Sequence, residues 1–241
     1  MRVAVLSDIH SNLAALDAVL EDLGEVDATW VLGDIVGYGP DPDAVVARLR
    51  EIDAICVRGN HDAAALGQLD ASTFNDDARR AVEWTGETLD ADTRAWLDAL
   101  PERREVGDFT LVHGSPRDPL WEYLFSVPVA RRNYGAYTTP HCLVGHTHVP
   151  LVFRRETDGD IELFAPSHAS ELPLDDRRLI LNPGGVGQPR DGDPRACAMV
   201  LDLEARQAEW RRIPYAIERT QARMREEQLP VRLVNRLAHG L

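Results

Sequence analysis

The sequence predicts an α/β fold, on three observations. Short apolar runs recur without the alternation of a half-exposed strand, helical patterns separate several of them, and five runs stop on polar residues able to hold a metal. Val3–Leu6 is the first run and leads into "SDIHSN", which sets Asp8 and His10 two apart where a buried strand ends. "NLAALDAVLEDLGE" puts Leu13, Leu16, Leu20 and Leu23 on one helical face, with Ser11 or Asn12 able to cap its start and Gly24 its end. "TWVLGD" ends on Asp34, residues 41–50 read as a second helix, and "AICVRGNHD" ends on Asn60, His61 and Asp62. A turn at "GNHD" can cap a helix at 62–68, and residues 75–99 read as one or two helices. "FTLVHG" then ends on His113, and "HCLVGHTH" on His146 and His148. Such unalternating runs predict strands buried on both faces. Open α/β sheets bind ligands beyond the carboxyl ends of their strands, so the five polar clusters are expected to converge.

The C-terminal third reads differently. "LVFRRETDGDIELF" has Asp158-Gly159 between two strand-like runs, a hairpin signal, while "RLILNPGG" and "CAMVLDLEARQAEWRRI" add at least three more strands. These are expected to form the second sheet. "YAIERTQARMREEQ" and "VRLVNRLAHG" close the chain as two surface helices. With 241 residues, 44% of them hydrophobic, the chain can bury a core as one domain over 1–241, with residues 64–104 as a candidate helical lid.

Composition narrows the partners. A net charge of −14 argues against a long nucleic acid, whose binders gain most of their affinity by neutralising phosphates. All 26 basic residues are Arg; a GC-rich genome accounts for that, and no function is drawn from it. No run approaches the ~18 apolar residues of a membrane span. Three scattered cysteines, Cys56, Cys142 and Cys197, do not suggest a disulfide framework. A chain that enters a strand pattern at once carries no signal-peptide pattern, so a cytoplasmic location is expected. Oligomeric state is not readable.

The donors define the chemistry. Two Asp, one Asn and four His, without a thiolate, suit Mn, Fe, Zn or Ni better than Ca or Mg alone. Seven donors exceed one tetrahedral ion but fit two ions sharing a carboxylate. Such a pair can polarise a phosphoryl group and turn water into hydroxide near neutral pH. No Ser-His-Asp or Cys nucleophile stands out, and the Gly-rich "GGVGQPRDG" lacks the Lys-Ser/Thr of a P-loop.

"SDIHSN", "GDIVGYGP", "RGNHD", "LVHG" and "GHTH", in that order, resemble the calcineurin-like metallophosphoesterases, and the whole chain is similar to a small bacterial phosphodiesterase-like member. The resemblance implies a two-layer β-sandwich flanked by helices. It implies Asp8, His10, Asp34 and His148 as ligands of one divalent metal, and Asp34, Asn60, His113 and His146 as ligands of the other. It further implies His61 as the catalytic histidine that protonates the leaving oxygen or stabilises charge there, with Asp62 orienting its ring. The expected substrate is a small organic phosphate or cyclic nucleotide. Phosphoprotein phosphatases and dinucleoside-polyphosphate hydrolases are similar too. They usually carry Asp-Arg-Gly where this chain has Val36-Gly37-Tyr38, and Glu where it has Asp62. A binding scaffold on this fold, like the retromer subunit, would be expected to have lost ligands, and none is lost here. The subgroup's usual Ser after Asn-Pro-Gly is Gly185 in this chain.

Asn12, Tyr38 and Arg58 are candidate substrate contacts. Each has a plainer reading: a helix cap, a turn residue, and a partner for a surface Asp. His141, His168 and His239 lie outside the motifs and read as surface or loop residues; Cys56, Cys142, Trp84 and Trp96 read as packing.

Overall fold

The computed structural model describes residues 1–241. Its strands are β1 (Arg2–Leu6), β2 (Ala28–Val31), β3 (Ile55–Cys56), β4 (Arg103–Val106), β5 (Phe109–Val112) and β6 (His141–Leu143), then β7 (Leu151–Arg155), β8 (Ile161–Phe164), β9 (Glu171–Pro173), β10 (Arg178–Asn182), β11 (Ala196–Asp202) and β12 (Gln207–Ile213). They form two six-stranded sheets, ordered β3-β2-β1-β11-β12-β9 and β4-β5-β6-β10-β7-β8. In the first, β1, β2 and β3 run parallel; in the second, β5, β6 and β10 do. The apolar runs that end on metal-competent residues are these parallel strands, so their carboxyl ends meet at one end of the sandwich.

Alternate residues of β1 explain the layers. Val3 and Val5 face the second sheet, in a core with Trp30, Leu111, Leu181 and Met199. Ala4 and Leu6 face outward under α1 (Leu13–Leu23) and α2 (Pro42–Glu51). Both faces are buried, which is why the run is continuous rather than alternating. A smaller cluster under α6 (Val127–Asn133) covers the outer face of the second sheet. The order is helices, sheet, sheet, helix.

Several local expectations hold. Asn12 caps α1, its side chain accepting from the Ala15 N–H, and Gly24 ends the helix at φ +62°. β7 and β8 form an antiparallel hairpin whose turn places Gly159 at φ +92°. Cys56 and Cys142 are buried, Trp96 packs against the outer core and Trp84 against the helical cluster around Tyr38.

Other expectations change. The C-terminal strands do not make a sheet of their own. β11 and β12 extend the first sheet from β1, while β10, β7 and β8 extend the second from β6. β11 is buried along nearly its whole length and needs strands on both sides, which β1 and β12 provide. The helix after "RGN" is α3 (Asn60–Ala65), which starts before residue 62. Residues 75–99 form two helices, as expected, α4 (Asp76–Thr88) and α5 (Ala91–Asp98), and both bury apolar residues, Val82 and Leu97, in the outer core. His141 is not a surface residue: it is 3% exposed, at the start of β6. It lines a cavity of about 380 Å³ with Trp30, Phe109 and Leu174, at the opposite end of the sandwich from the metal-competent residues.

Candidate metal centre

Each donor stands just past a strand end or in the first turn of α3. Asp8 and His10 follow β1, Asp34 follows β2, Asn60 opens α3, His113 follows β5, and His146 and His148 follow β6. The backbone there is unusual. Asp8, His10, Asp34, His146 and His148 all have left-handed φ between 49° and 63°, as does Tyr38. Non-glycine residues avoid this region, and a concentration of them marks backbone strain at a functional site.

The structure brings all seven expected donors together. Ligand atoms of Asp8, His10, Asp34 and His148 lie within 4.8 Å of one another, and so do those of Asp34, His113 and His146. Asp34 belongs to both groups: its Oδ2 is 3.5 Å from His10 Nε2 and 3.3 Å from His113 Nε2. Asn60 Oδ1 is 3.0 Å from His113 Nε2, which joins it to the second group. Three imidazoles are aimed by backbone carbonyls at their Nδ1: His10 by Val36 (3.2 Å), His113 by Leu32 (2.8 Å) and His148 by Gln188 (2.6 Å). An Nδ1–H donating to a carbonyl leaves Nε2 as a lone-pair donor pointing inward.

Electrostatics show why such a group needs cations. All seven side chains are buried. Burial pushes Asp8 up to about 7, with the neighbouring Asp34 charge adding to it. Burial would raise Asp34 too, but His113, His61 and His10 around it hold it well below the carboxylate range. Burial lowers His10, His146 and His148. Against the same burial, Asp34 holds His113 at about 9. Burial thus disfavours the charge on Asp8, and its Oδ1 has no hydrogen-bond donor. Divalent ions would satisfy both carboxylates without protonating a ligand, so the residues fit the metals the donor set implies.

His61 stands beside the cluster, its ring centroid 4.8 Å from His10, 4.3 Å from Tyr38 and 4.9 Å from Phe74. Its Nδ1 has no partner, and a Cβ on Gly37 would lie 2.6 Å from it. Asp62 does not orient that ring. Its carboxylate accepts from the Val36 N–H (2.9 Å) and the Gly59 N–H (2.8 Å), because as the third residue of α3 it folds back onto the helix start. Asn12 and Arg58 also have their polar atoms engaged elsewhere. Asn12 caps α1, donates to Gly187 and accepts from Thr220; Arg58 pairs with Gln68 and Glu102. Tyr38 does reach the site, its ring 4.5 Å from His10.

Residues with no individual motif hold this geometry. Asn182, in "NPGG", donates to the Gly145 carbonyl (2.7 Å) and to Thr147 Oγ1 (2.9 Å), fixing the "GHTH" turn. The loop then runs alongside β1's end, with Val186 N–H on the Ser7 carbonyl and Gly187 N–H on Asp8's. A Cβ on Gly185 would lie 3.1 Å from the His148 Cβ, so a serine there would press on a donor. Two arginines, Arg190 and Arg236, flank Tyr38 at 5.8 and 4.8 Å from its ring, and neither has a carboxylate within 4.0 Å. Burial, with Arg190 beside it, brings Arg236 down to about 10.

Buried donor groups sharing one carboxylate, with a histidine beside them, thus stand at one end of a helix-flanked sandwich. Residues 1–206 match the calcineurin-like phosphoesterase superfamily domain, and the chain belongs to that family. It is 47% identical to a metallophosphoesterase from Sphaerobacter thermophilus, with a TM-score of 0.92 and full coverage of both chains. It is 36% identical to an uncharacterised protein of Methanocaldococcus jannaschii over 99% of this chain and 98% of that one. The phosphodiesterase YfcE of Escherichia coli is 28% identical over 83% of this chain and 87% of its own. A protein from Pyrococcus horikoshii, at 22% identity and a TM-score of 0.81 over 100% of this chain and 98% of that one, shares the fold.

Proposed function

We propose that the chain is a two-metal phosphodiesterase acting on small organic phosphates or cyclic nucleotides. The position of Asp34 in both donor groups carries this reading: one carboxylate between two ligand sets is what a pair of adjacent ions requires. Asp8, His10 and His148 would complete one ion's protein ligands; Asn60, His113 and His146 the other's. Mn, Fe, Zn or Ni would suit these donors. When bound, the ions supply Lewis-acid polarisation of the phosphoryl oxygens and lower the pKa of water to near neutrality.

The chain's own residues do the rest. His61 delivers the proton to the leaving oxygen from a ring held between Tyr38 and Phe74. Asp62 acts as a positioning residue: it fixes the start of α3, and so the places of Asn60 and His61. Arg190 and Arg236, without protein carboxylates, keep the Tyr38 side of the site positive for an anionic substrate. Asp62 in place of their usual Glu ranks the phosphoprotein-phosphatase and dinucleoside-polyphosphate readings lower.

Mn-loaded protein is expected to hold two ions per chain and to turn over bis-p-nitrophenyl phosphate. Fewer than one ion per chain after loading, together with inertness toward phosphate mono- and diesters, would sink the reading.

A further inference from the structure

Tyr123 and Phe125 are the only exposed Phe, Tyr or Trp side chains in the molecule, at 45% and 48%. Exposed aromatics are unremarkable singly, but these two lie together at the site. Tyr123 stacks on the donor His146, with ring centroids 3.8 Å apart and planes 22° apart. Phe125 continues the row, 5.8 Å from Tyr123 and nearly parallel at 8°.

The row is built rather than accidental. Between the two rings, Leu124 is 1% exposed and packs under α6, so residues 123 and 125 project from one face of an extended stretch. The stretch is pinned at Glu122, whose carboxylate accepts from Ser115 Oγ (2.7 Å) and Asn133 Nδ2 (2.7 Å). The rings are therefore held in place before anything binds, which cuts the ordering cost of stacking a planar group on them.

We propose that Tyr123 and Phe125 form a stacking platform for the base of a nucleoside phosphoester whose phosphate sits at the donor cluster. This rests on the phosphoesterase reading for the place of the phosphate, and narrows its substrate to the nucleotide class. A base stacks on an aromatic face whatever its sequence of donors and acceptors, so the platform selects nucleotides over sugar or glycerol phosphates and discriminates little among the bases.

The test compares ligands that differ by the base alone. Phosphonate isosteres of adenosine 5′-monophosphate and of ribose 5-phosphate, which have no ester bond to cleave, are titrated calorimetrically into the Mn-loaded full chain. The adenosine compound is expected to bind about 5- to 150-fold more tightly, the span that stacking of one base provides. Phe125→Ala should bring it down toward the ribose compound, Phe125→Leu should lose most of the preference, and Phe125→Trp should keep it. Equal binding of the two phosphonates by the wild type, no binding of either, or a preference that survives Phe125→Ala overturns the platform. Turnover of bis-p-nitrophenyl phosphate with no base preference defeats this inference alone. A base preference in a chain that hydrolyses no ester defeats the enzymatic reading and leaves the platform standing.

Discussion

At the scale of single residues, His61 and Asp34 separate proton delivery from metal holding. His61→Ala should keep both ions and lower the rate ~10²–10⁴-fold, the usual contribution of a positioned acid. A p-nitrophenyl ester, whose leaving group departs without a proton, should lose least, and an alkyl ester most. Equal losses on both esters, or an ion lost along with the imidazole, would show that His61 has another role. Asp34→Ala should instead empty the site and reduce both substrates alike, which metal analysis of the purified variant checks. His141 gives a pH prediction remote from the site. Burial lowers it to about 4 from an ordinary 6.5, so the folded state binds its proton less readily than the unfolded one. Its contribution is intact above pH 6.5 and is lost as the pH falls toward 4, on the order of 3 kcal/mol over that window. His141→Leu should flatten the fall in stability between pH 6.5 and 4; parallel urea-unfolding slopes for variant and wild type would refute it.

At the scale of elements, the start of α3 is where sequence and geometry meet most closely. Gly59 passes directly against Asp34: a Cβ there would collide with the Asp34 carboxylate and its backbone nitrogen. Gly59→Ala should therefore cost metal occupancy without touching any ligand, and an unchanged metal content would count against that close approach. Asp62→Ala should destabilise by about 2–5 kcal/mol, since it strands two buried N–H groups. The motifs made the strand ends and the meeting of the seven candidate donors legible, because ligand chemistry restricts residue types at fixed places along the chain. They did not reveal that Asp62 caps rather than orients, since "GNHD" reads the same whichever group its carboxylate reaches. Nor did they reveal Asn182's hold on the "GHTH" turn, which depends on the parallel pairing of β10 with β6 across 38 residues of sequence. Arg190 and the Tyr123–Phe125 row were hidden for a similar reason: nothing in local periodicity tells a loop side chain that faces the cluster from one that faces water. The strands of the last third were visible, but their division between sheets was not. That division is settled by which edges β1 and β6 leave open.

At the scale of the molecule, α7 (Ile217–Glu226) and α8 (Val231–Arg236) lie beyond residues 1–206 of the family domain, yet they close one side of the site. Met224, Leu233 and Leu237 pack with Tyr38, Thr220 donates to Asn12, and Arg236 reaches Gln188. Removing residues 214–241 should leave Tyr38 unsupported and raise KM on phosphodiesters more than it lowers kcat; a truncated chain with unaltered KM would assign these helices to packing alone. Chelation should lower stability by about 2.7 kcal/mol for each ion held at a hundred times its Kd, or roughly 5–10 °C in Tm per ion for a chain of this size. The donors come from both sheets, Asp8, His10, Asp34 and Asn60 from the first and His113, His146 and His148 from the second. Bound ions would thus act as a clasp between two layers that meet elsewhere through apolar side chains, with a cavity between them at the far end. A sandwich clasped at one end and hollow at the other has no uniform resistance to opening. Backbone amides near β1 and β6 on the clasped side should exchange with deuterium slowly only while the ions are present, whereas those around Phe109 and His141 should exchange at a rate the ions do not set.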